Sequence, residues 1–146
     1  MDKINIQGVL LTPLKKIYNP KGDVFHCMKK KDNGFAGFGE AYFSTVIFND
    51  VKDWKKHTKT TLNLIVPVGK IKFVLYDDRE NSISKNQFFE IELSKDNYKR
   101  LTVPPNIWMS FKGIGNNLNL LLNIADIEHN PEEFIRLKPN EIKYNW

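Results

Sequence analysis

His57 is the residue of this chain whose surroundings best suit chemistry. It comes just before two apolar, strand-like runs that meet at Pro67-Val68-Gly69, and the second run ends in the charged cluster Tyr76-Asp77-Asp78-Arg79. A titratable residue directly before the core strands of a small barrel lies at the opening, or mouth, of that barrel, where it can act as a base. Histidine suits a general base because its unperturbed pKa of about 6.5 leaves the ring largely neutral at pH 7. The pattern therefore predicts proton abstraction by His57.

A tyrosine is the best candidate for the matching acid. Tyr42 precedes His57 by fifteen positions, on a predicted strand whose alternation could aim its phenol into the same mouth. Tyr76 is the second candidate. Because aromatic residues more often pack than react, a core or interface role for Tyr42 stays open.

Charged and aromatic residues near His57 are the candidate ligands for a substrate. Cations attract phosphate groups, a carboxylate can hold sugar hydroxyls, and a tryptophan can stack on a nucleobase. The alternatives are an internal salt bridge for the strand-end charges and a core position for the tryptophan. The candidates are Lys55, Lys72, Tyr76, Asp78, Arg79 and Trp108.

Length and composition predict one domain over residues 1–146. The chain is 41% apolar and 27% charged, as in ordinary globular proteins, and it is long enough for its own hydrophobic core. Its longest apolar runs are too short to cross a bilayer, so no membrane partner is expected. The N-terminus has no long apolar segment followed by a small-residue cleavage site, and we therefore expect a cytoplasmic location.

Charge and cysteine content exclude several other classes. One cysteine allows neither an internal disulfide nor a multi-thiolate metal site. The net charge of +5 comes mainly from scattered lysines, without arginines interleaved with aromatic residues. Nucleic acid is therefore not expected as a partner, whereas a diphosphate-bearing small molecule would be drawn by the same field.

The periodicity is that of short, half-buried strands, which favours an all-β sandwich or barrel. One helix is predicted at the C-terminal end, where Asn130 can cap, Pro131 can take the first position and Pro139 can end it. Phe134 and Leu137 would then pack against the outside of the barrel. The predicted strands cover residues 8–14, 23–28, 41–48, 61–66, 70–75, 87–93, 100–103, 108–112 and 118–125.

Four segments, in this order, resemble the RmlC-like cupins, the dTDP-4-dehydrorhamnose 3,5-epimerase family. They are Asn19 to Asp23, Trp54 to Arg79, Val103 to Phe111 and Asn130 to Glu133, and the resemblance extends from about Gly8 to the C-terminus. A looser likeness joins Lys55-Lys56-His57-Thr58 to the H-x-H-K motif of nucleotide-sugar 3,4-ketoisomerases. Both relatives imply a jelly-roll cupin, or double-stranded β-helix barrel, that is typically a homodimer.

The resemblance implies an isomerase acting on an NDP-linked 4-keto-6-deoxy sugar for surface polysaccharides such as lipopolysaccharide or capsule. His57 matches the family's catalytic histidine, while the family's proton-donating tyrosine falls near Leu122 or Asn123. An asparagine cannot protonate carbon, but its amide could hold an oxyanion. The histidine's carboxylate partner has Asn145 as its nearest counterpart. Three hypotheses stay open: an epimerase, a 3,4-ketoisomerase and a non-catalytic sugar-nucleotide-binding cupin.

No metal or other cofactor is expected. Metal-binding cupins supply histidines from an H-x-H segment and from a later strand. In this sequence Lys55-Lys56-His57 occupies the first place and Met109 the second, and the lysine charges would oppose a divalent cation.

Overall fold

The computed structural model describes residues 3–146, and nearly all of its regular structure is β-strand. A single turn of 3₁₀ helix covers Pro139–Glu141. The strands are β1 Leu10–Pro13, β2 Lys16–Ile17, β3 Val24–Phe25, β4 Glu40–Thr45, β5 Trp54–His57, β6 Leu62–Val68, β7 Lys70–Tyr76, β8 Phe88–Ser94, β9 Lys99–Val103, β10 Trp108–Gly113, β11 Leu120–Ala125 and β12 Phe134–Leu137.

Two five-stranded antiparallel sheets face each other and enclose the core. The strand order is β1-β9-β6-β11-β4 in the first sheet and β12-β5-β10-β7-β8 in the second, and β2 and β3 form a separate hairpin. Apolar side chains of both sheets, such as Leu64 and Leu121 from the first and Phe73 and Leu75 from the second, share one buried cluster. This arrangement confirms the predicted all-β jelly-roll architecture.

The turn between β6 and β7 is as tight as the sequence predicts. Gly69 alone separates the two strands and has a positive φ of 81°. A Cβ atom here would lie 2.3 Å from the carbonyl oxygen of Leu118, so glycine is needed for steric as well as conformational reasons.

The expectation that the central strands are half-buried is wrong. Asn63 and Ile65 of β6 point away from the core, yet both are buried. The amide of Asn63 donates to the carbonyl of Gly34 and accepts from Thr102, so the loop around Gly34 covers the outer face of this sheet. Likewise, Val74 of β7 packs in an outer cluster beneath the C-terminal residues.

The predicted C-terminal helix is also wrong. Residues 134–137 form strand β12, which pairs antiparallel with β5 in a register that places Phe134 opposite His57. Asn130 does cap, but it caps a turn in which it accepts from the backbone N–H groups of Glu132 and Glu133. Pairing with β5 and burial of Glu133 outweigh the local helix signals, which are worth little alone. Within residues 3–146, no helix has the length and apolar character that a membrane crossing requires.

Candidate active site

A cavity of about 420 Å³ opens between the two sheets, within the range of small-molecule sites. One wall comes from β4 and β11 of the first sheet, and the other from β5, β10 and β12 of the second. Strand alternation decides which residues reach it, since every second side chain faces the interior. The lining residues are Tyr42, Ser44, Val51, Lys52, Asp53, Lys55, His57, Leu62, Met109, Phe111, Leu121, Asn123 and Arg136.

His57 lies at the end of β5 and is paired with a buried carboxylate. Its Nδ1 atom is 2.7 Å from Oε1 of Glu133, and Glu133 is 6% exposed. The other carboxylate oxygen accepts from the backbone N–H groups of Lys59 and Thr60 at 2.9 and 3.0 Å. The turn at residues 130–133 and the start of β12 hold Glu133 in this position.

The environment of Glu133 keeps its carboxyl group ionised. Burial alone would raise the pKa of its carboxyl, but hydrogen bonds from the Lys59 backbone, from His57 and from the Thr60 backbone outweigh this and lower the pKa to about 2. An ionised carboxylate only accepts, so Nδ1 of His57 must be the donor. In the neutral imidazole, Nε2 is then the nitrogen that carries the lone pair and can accept a proton.

Tyr42 and Asn123 form the opposite wall. They are directly opposite each other in the β4–β11 pair, and Nδ2 of Asn123 donates to the phenol oxygen of Tyr42 at 2.9 Å. Burial and then the nearby charge of Glu40 raise the pKa of the Tyr42 phenol, and the hydrogen bond from Asn123 opposes them. The phenol is therefore protonated at neutral pH and available as a proton donor.

Cationic side chains make the cavity positive. Lys55 and Arg136 are opposite each other in the β5–β12 pair, and Lys52 lies near them in the lining. Burial, and then the charge of Arg136, lowers the pKa of Lys55. Like charges placed opposite each other destabilise a strand pair, and an anion bound between Lys55 and Arg136 would relieve this repulsion. Glu133 and Asp53 are the acidic residues close to this group.

The site has no cluster suited to a metal ion. Within residues 3–146, no three His, Cys, Asp or Glu side chains come close enough together to share a metal.

Comparison with known proteins identifies the family. The crystal structure of a dTDP sugar isomerase from Desulfovibrio desulfuricans G20 is 36% identical, with a TM-score of 0.93, and the match covers 97% of this chain and 92% of that one. This chain belongs to the RmlC-like cupin family. The probable low-salt glycan biosynthesis epimerase Agl13 of Haloferax volcanii is 29% identical over 111 residues, which are 73% of this chain and 71% of the relative.

Similarity of fold reaches further than similarity of sequence. The dTDP-4-dehydrorhamnose 3,5-epimerase of Bacillus anthracis, solved with TDP and PPi bound, has a TM-score of 0.85 at only 18% identity, covering 99% of this chain and 87% of that one. No profile of a known protein family matches the sequence.

Four predicted site residues of this cupin share the cavity. Tyr42, Lys55, His57 and Asn123 all line it. Asn145, the predicted partner of His57, is wrong, since the imidazole pairs with Glu133. Strand alternation gives no signal for Glu133, because this residue lies in the turn before β12.

The other predicted ligands lie outside this cavity. Alternation along β7 and β10 places Lys72, Tyr76 and Trp108 on the outer face of the second sheet, opposite to the face that carries His57. Lys72 pairs with Glu90 and lies over the rings of Tyr144 and Trp146, and Tyr76 stacks on Phe88.

Asp78 and Arg79 serve the fold at the end of β7. Asp78 accepts from the indole N–H of Trp108 at 2.8 Å and pairs with Lys56. The guanidinium of Arg79 is 2.9 Å from Asp77, and it also donates to the carbonyl of Gln7. These contacts match the alternative of an internal salt bridge.

Lys52 and Arg136, which line the cavity, and Glu133, which binds His57 from behind the lining, are residues that the sequence does not predict for the site. Arg136 becomes a neighbour of Lys55 only through the β5–β12 pairing. The sequence does contain a signal for this strand, because Phe134 and Arg136 alternate with Ile135 and Leu137, but the capping and proline signals predict a helix over the same residues.

Proposed function

We propose that this protein is an isomerase that epimerises an NDP-linked 4-keto-6-deoxy sugar beside its ketone. One observation carries the proposal: a carboxylate-oriented imidazole and a protonated phenol line opposite walls of one cationic cavity. The sugar epimerases and isomerases among its relatives support the substrate class, and the dTDP sugar isomerase and the TDP-bound epimerase favour a dTDP nucleotide.

The first step removes a proton. Nε2 of His57 takes a proton from the carbon next to the ketone. The electron pair of the broken C–H bond is delocalised onto the carbonyl oxygen, which forms an enolate. Glu133 stabilises the imidazolium that results, as a carboxylate does in other histidine pairs. The positive charges of Lys55, Lys52 and Arg136 favour both the negative enolate and the diphosphate of the substrate.

The second step returns a proton from the other side. The phenol of Tyr42 gives its proton to the opposite face of the same carbon, the enolate collapses to the ketone, and the configuration is inverted. The phenolate then regains a proton from water and the imidazolium of His57 releases its proton to water, which restores both groups with no net change in protons. Delivery from the opposite wall favours epimerisation over 3,4-ketoisomerisation, in which the proton would go to a different atom.

The test is incubation with a dTDP-linked 4-keto-6-deoxy sugar in D2O, followed by NMR. Epimerisation predicts deuterium at the carbon beside the ketone together with inverted stereochemistry. A ketone that has moved to the neighbouring carbon would establish the ketoisomerase instead. Binding of the nucleotide without deuterium uptake or product would establish the non-catalytic cupin.

The relatives also favour a biological role. Because one similar protein is described as a glycan biosynthesis epimerase, we propose that the product enters a surface polysaccharide such as lipopolysaccharide or capsule. The homodimer and the cytoplasmic location stay predictions. Exposed apolar side chains of Phe43, Ile47 and Phe48 are where a second copy could pack, and sedimentation analysis would measure the assembly state.

A further inference from the structure

Tyr42 and Asn123 form a pair that the proposed reaction uses only in part. Both side chains face the cavity from adjacent strands, and Asn123 is 6% exposed. One amide N–H of Asn123 is committed to the phenol oxygen, and its Oδ1 atom is buried without a hydrogen-bond partner in the described residues. An asparagine kept only for packing would not carry such an unpaired acceptor, because it destabilises the fold.

The direction of this hydrogen bond determines what the phenol can do. A phenol both donates and accepts. If the asparagine accepted the phenol proton, that proton would be held by the protein. Because Asn123 donates instead, the oxygen of Tyr42 is anchored and its proton can point into the cavity.

We propose that Asn123 is the positioning residue for Tyr42, holding the phenol oxygen so that its proton faces the substrate and stabilising the phenolate left after delivery. This inference rests on the proposed epimerisation and replaces the role at the oxyanion expected from the sequence. The same hydrogen bond opposes the effects of burial and of Glu40, which raise the pKa of Tyr42.

The test separates two rates in one sample of the dTDP-linked 4-keto-6-deoxy sugar in D2O. Deuterium uptake with retained configuration requires only His57, whereas inversion also requires Tyr42. The ratio of inversion to uptake therefore reports on proton delivery, and it does not change if part of the protein is unfolded. Tyr42→Phe gives the lowest ratio expected, because inversion is lost while deuterium uptake remains.

Asn123→Ala is expected to lower the ratio about 10- to 100-fold, the usual effect of removing a hydrogen bond to a developing charge. Asn123→Asp is expected to lower it further, because a carboxylate of the same shape accepts the phenol proton and repels the phenolate. A packing defect predicts the reverse order, since aspartate fills the space and alanine does not.

Asn63→Ala is the matched control. Asn63 is another buried asparagine of the same sheet, but its amide is bound on the outer face by Gly34 and Thr102. The control is expected to lower stability and leave the ratio unchanged. If wild type does both reactions and the two Asn123 variants keep its ratio, the inference is overturned alone. If wild type does neither, the proposed function fails and the inference fails with it.

Discussion

Glu133 determines which nitrogen of His57 carries the proton. Its two oxygens are fully used, one by the imidazole and the other by the backbone N–H groups of Lys59 and Thr60. Those backbone donors anchor the carboxylate before any substrate arrives. The imidazole is therefore held in the tautomer that leaves Nε2 free, with no reorganisation needed during the reaction.

Glu133→Gln should convert His57 into the wrong tautomer. The glutamine oxygen would keep the backbone donors, so its NH2 group would point at Nδ1 and require that atom to accept. The ring proton would then move to Nε2, which could no longer act as a base. We expect kcat for deuterium uptake to fall about 10²-fold or more, measured by NMR at saturating substrate.

Glu133→Asp is the control, because it keeps the negative charge on a shorter side chain. This variant should retain more activity than Glu133→Gln, which keeps the shape and loses the charge. If Glu133→Gln folds normally and exchanges deuterium at the wild-type rate, the assigned tautomer is wrong.

At the residue scale, the sequence predicts those cavity positions that depend on strand alternation alone. Lys55 and His57 share a face because they are two residues apart on one strand. The alternation of a second strand likewise predicts that Tyr42 faces the cavity. Glu133 could not be found in this way. Its position depends on a turn and a strand pairing that bring it next to a residue 76 positions away in sequence.

Strand β12 holds the acidic and basic sides of the site together. Its pairing with β5 places Arg136 opposite Lys55, and Glu133, the residue just before the strand, reaches the imidazole of His57. Behind β5, Trp54 is buried beneath Leu137 and Trp146. The C-terminal residues therefore support the strand that carries His57.

Ile135→Pro should separate β12 from β5. Thr58 donates to the carbonyl of Glu133, and because bonded pairs alternate along an antiparallel ladder, Ile135 and Lys56 also exchange hydrogen bonds. Proline removes one of these donors. Displacing Glu133 by about 1 Å would lower the rate of deuterium uptake about 10²-fold, measured in the same NMR assay.

Ile135→Thr is the matched control, since the side chain is 49% exposed and threonine also favours a strand. Its uptake rate should stay within about twofold of wild type. Equal activity of the proline and threonine variants would show that β12 does not position the site.

At the element scale, apolar runs predict strands correctly, whereas capping and proline signals predict a helix that does not form. The pair β6–β7 was predictable because long apolar runs flank a glycine that the turn needs. Residues 130–139 carry equally clear capping and proline signals, yet they form a turn, a strand and a 3₁₀ turn. Local signals decide only where no long-range partner competes, and here β5 offered a free edge.

At the scale of the whole molecule, two buried carboxylates should dominate the loss of stability in acid. The pKa of Glu133 falls from an ordinary value near 4.5 to about 2. The pKa of Asp77 also falls, because hydrogen bonds from Arg79, Ser82 and Ser84 outweigh the opposing effect of burial. Both groups have a lower pKa in the folded state, so their contribution is complete above about pH 5 and is lost as pH falls toward 2.

Chemical denaturation at several pH values would measure this loss. The shift at Glu133 corresponds to a contribution on the order of 3 kcal/mol at neutral pH. We expect the difference in unfolding free energy between wild type and Glu133→Gln to shrink as the pH falls from 5 to 3. A difference that stays constant over this range would contradict the depressed pKa of Glu133.

The net charge of +5 and the cationic cavity should make substrate binding sensitive to salt. Arg136→Gln is expected to raise KM about tenfold and to weaken its dependence on ionic strength, because one cation facing the diphosphate is removed. Lys31→Gln makes the same charge change at an exposed site outside the cavity and should alter KM little. Equal effects of the two variants would mean that overall charge, and not the cavity, attracts the substrate.

The most direct measurement compares deuterium uptake by wild type and His57→Asn, with the dTDP-linked 4-keto-6-deoxy sugar in D2O. Asparagine can still donate to Glu133, so the fold and nucleotide binding should be retained. We predict that uptake at the carbon beside the ketone falls by about 10²- to 10⁴-fold, the usual contribution of a general base. A folded His57→Asn variant that exchanges deuterium at the wild-type rate would contradict the assignment of His57 as the base.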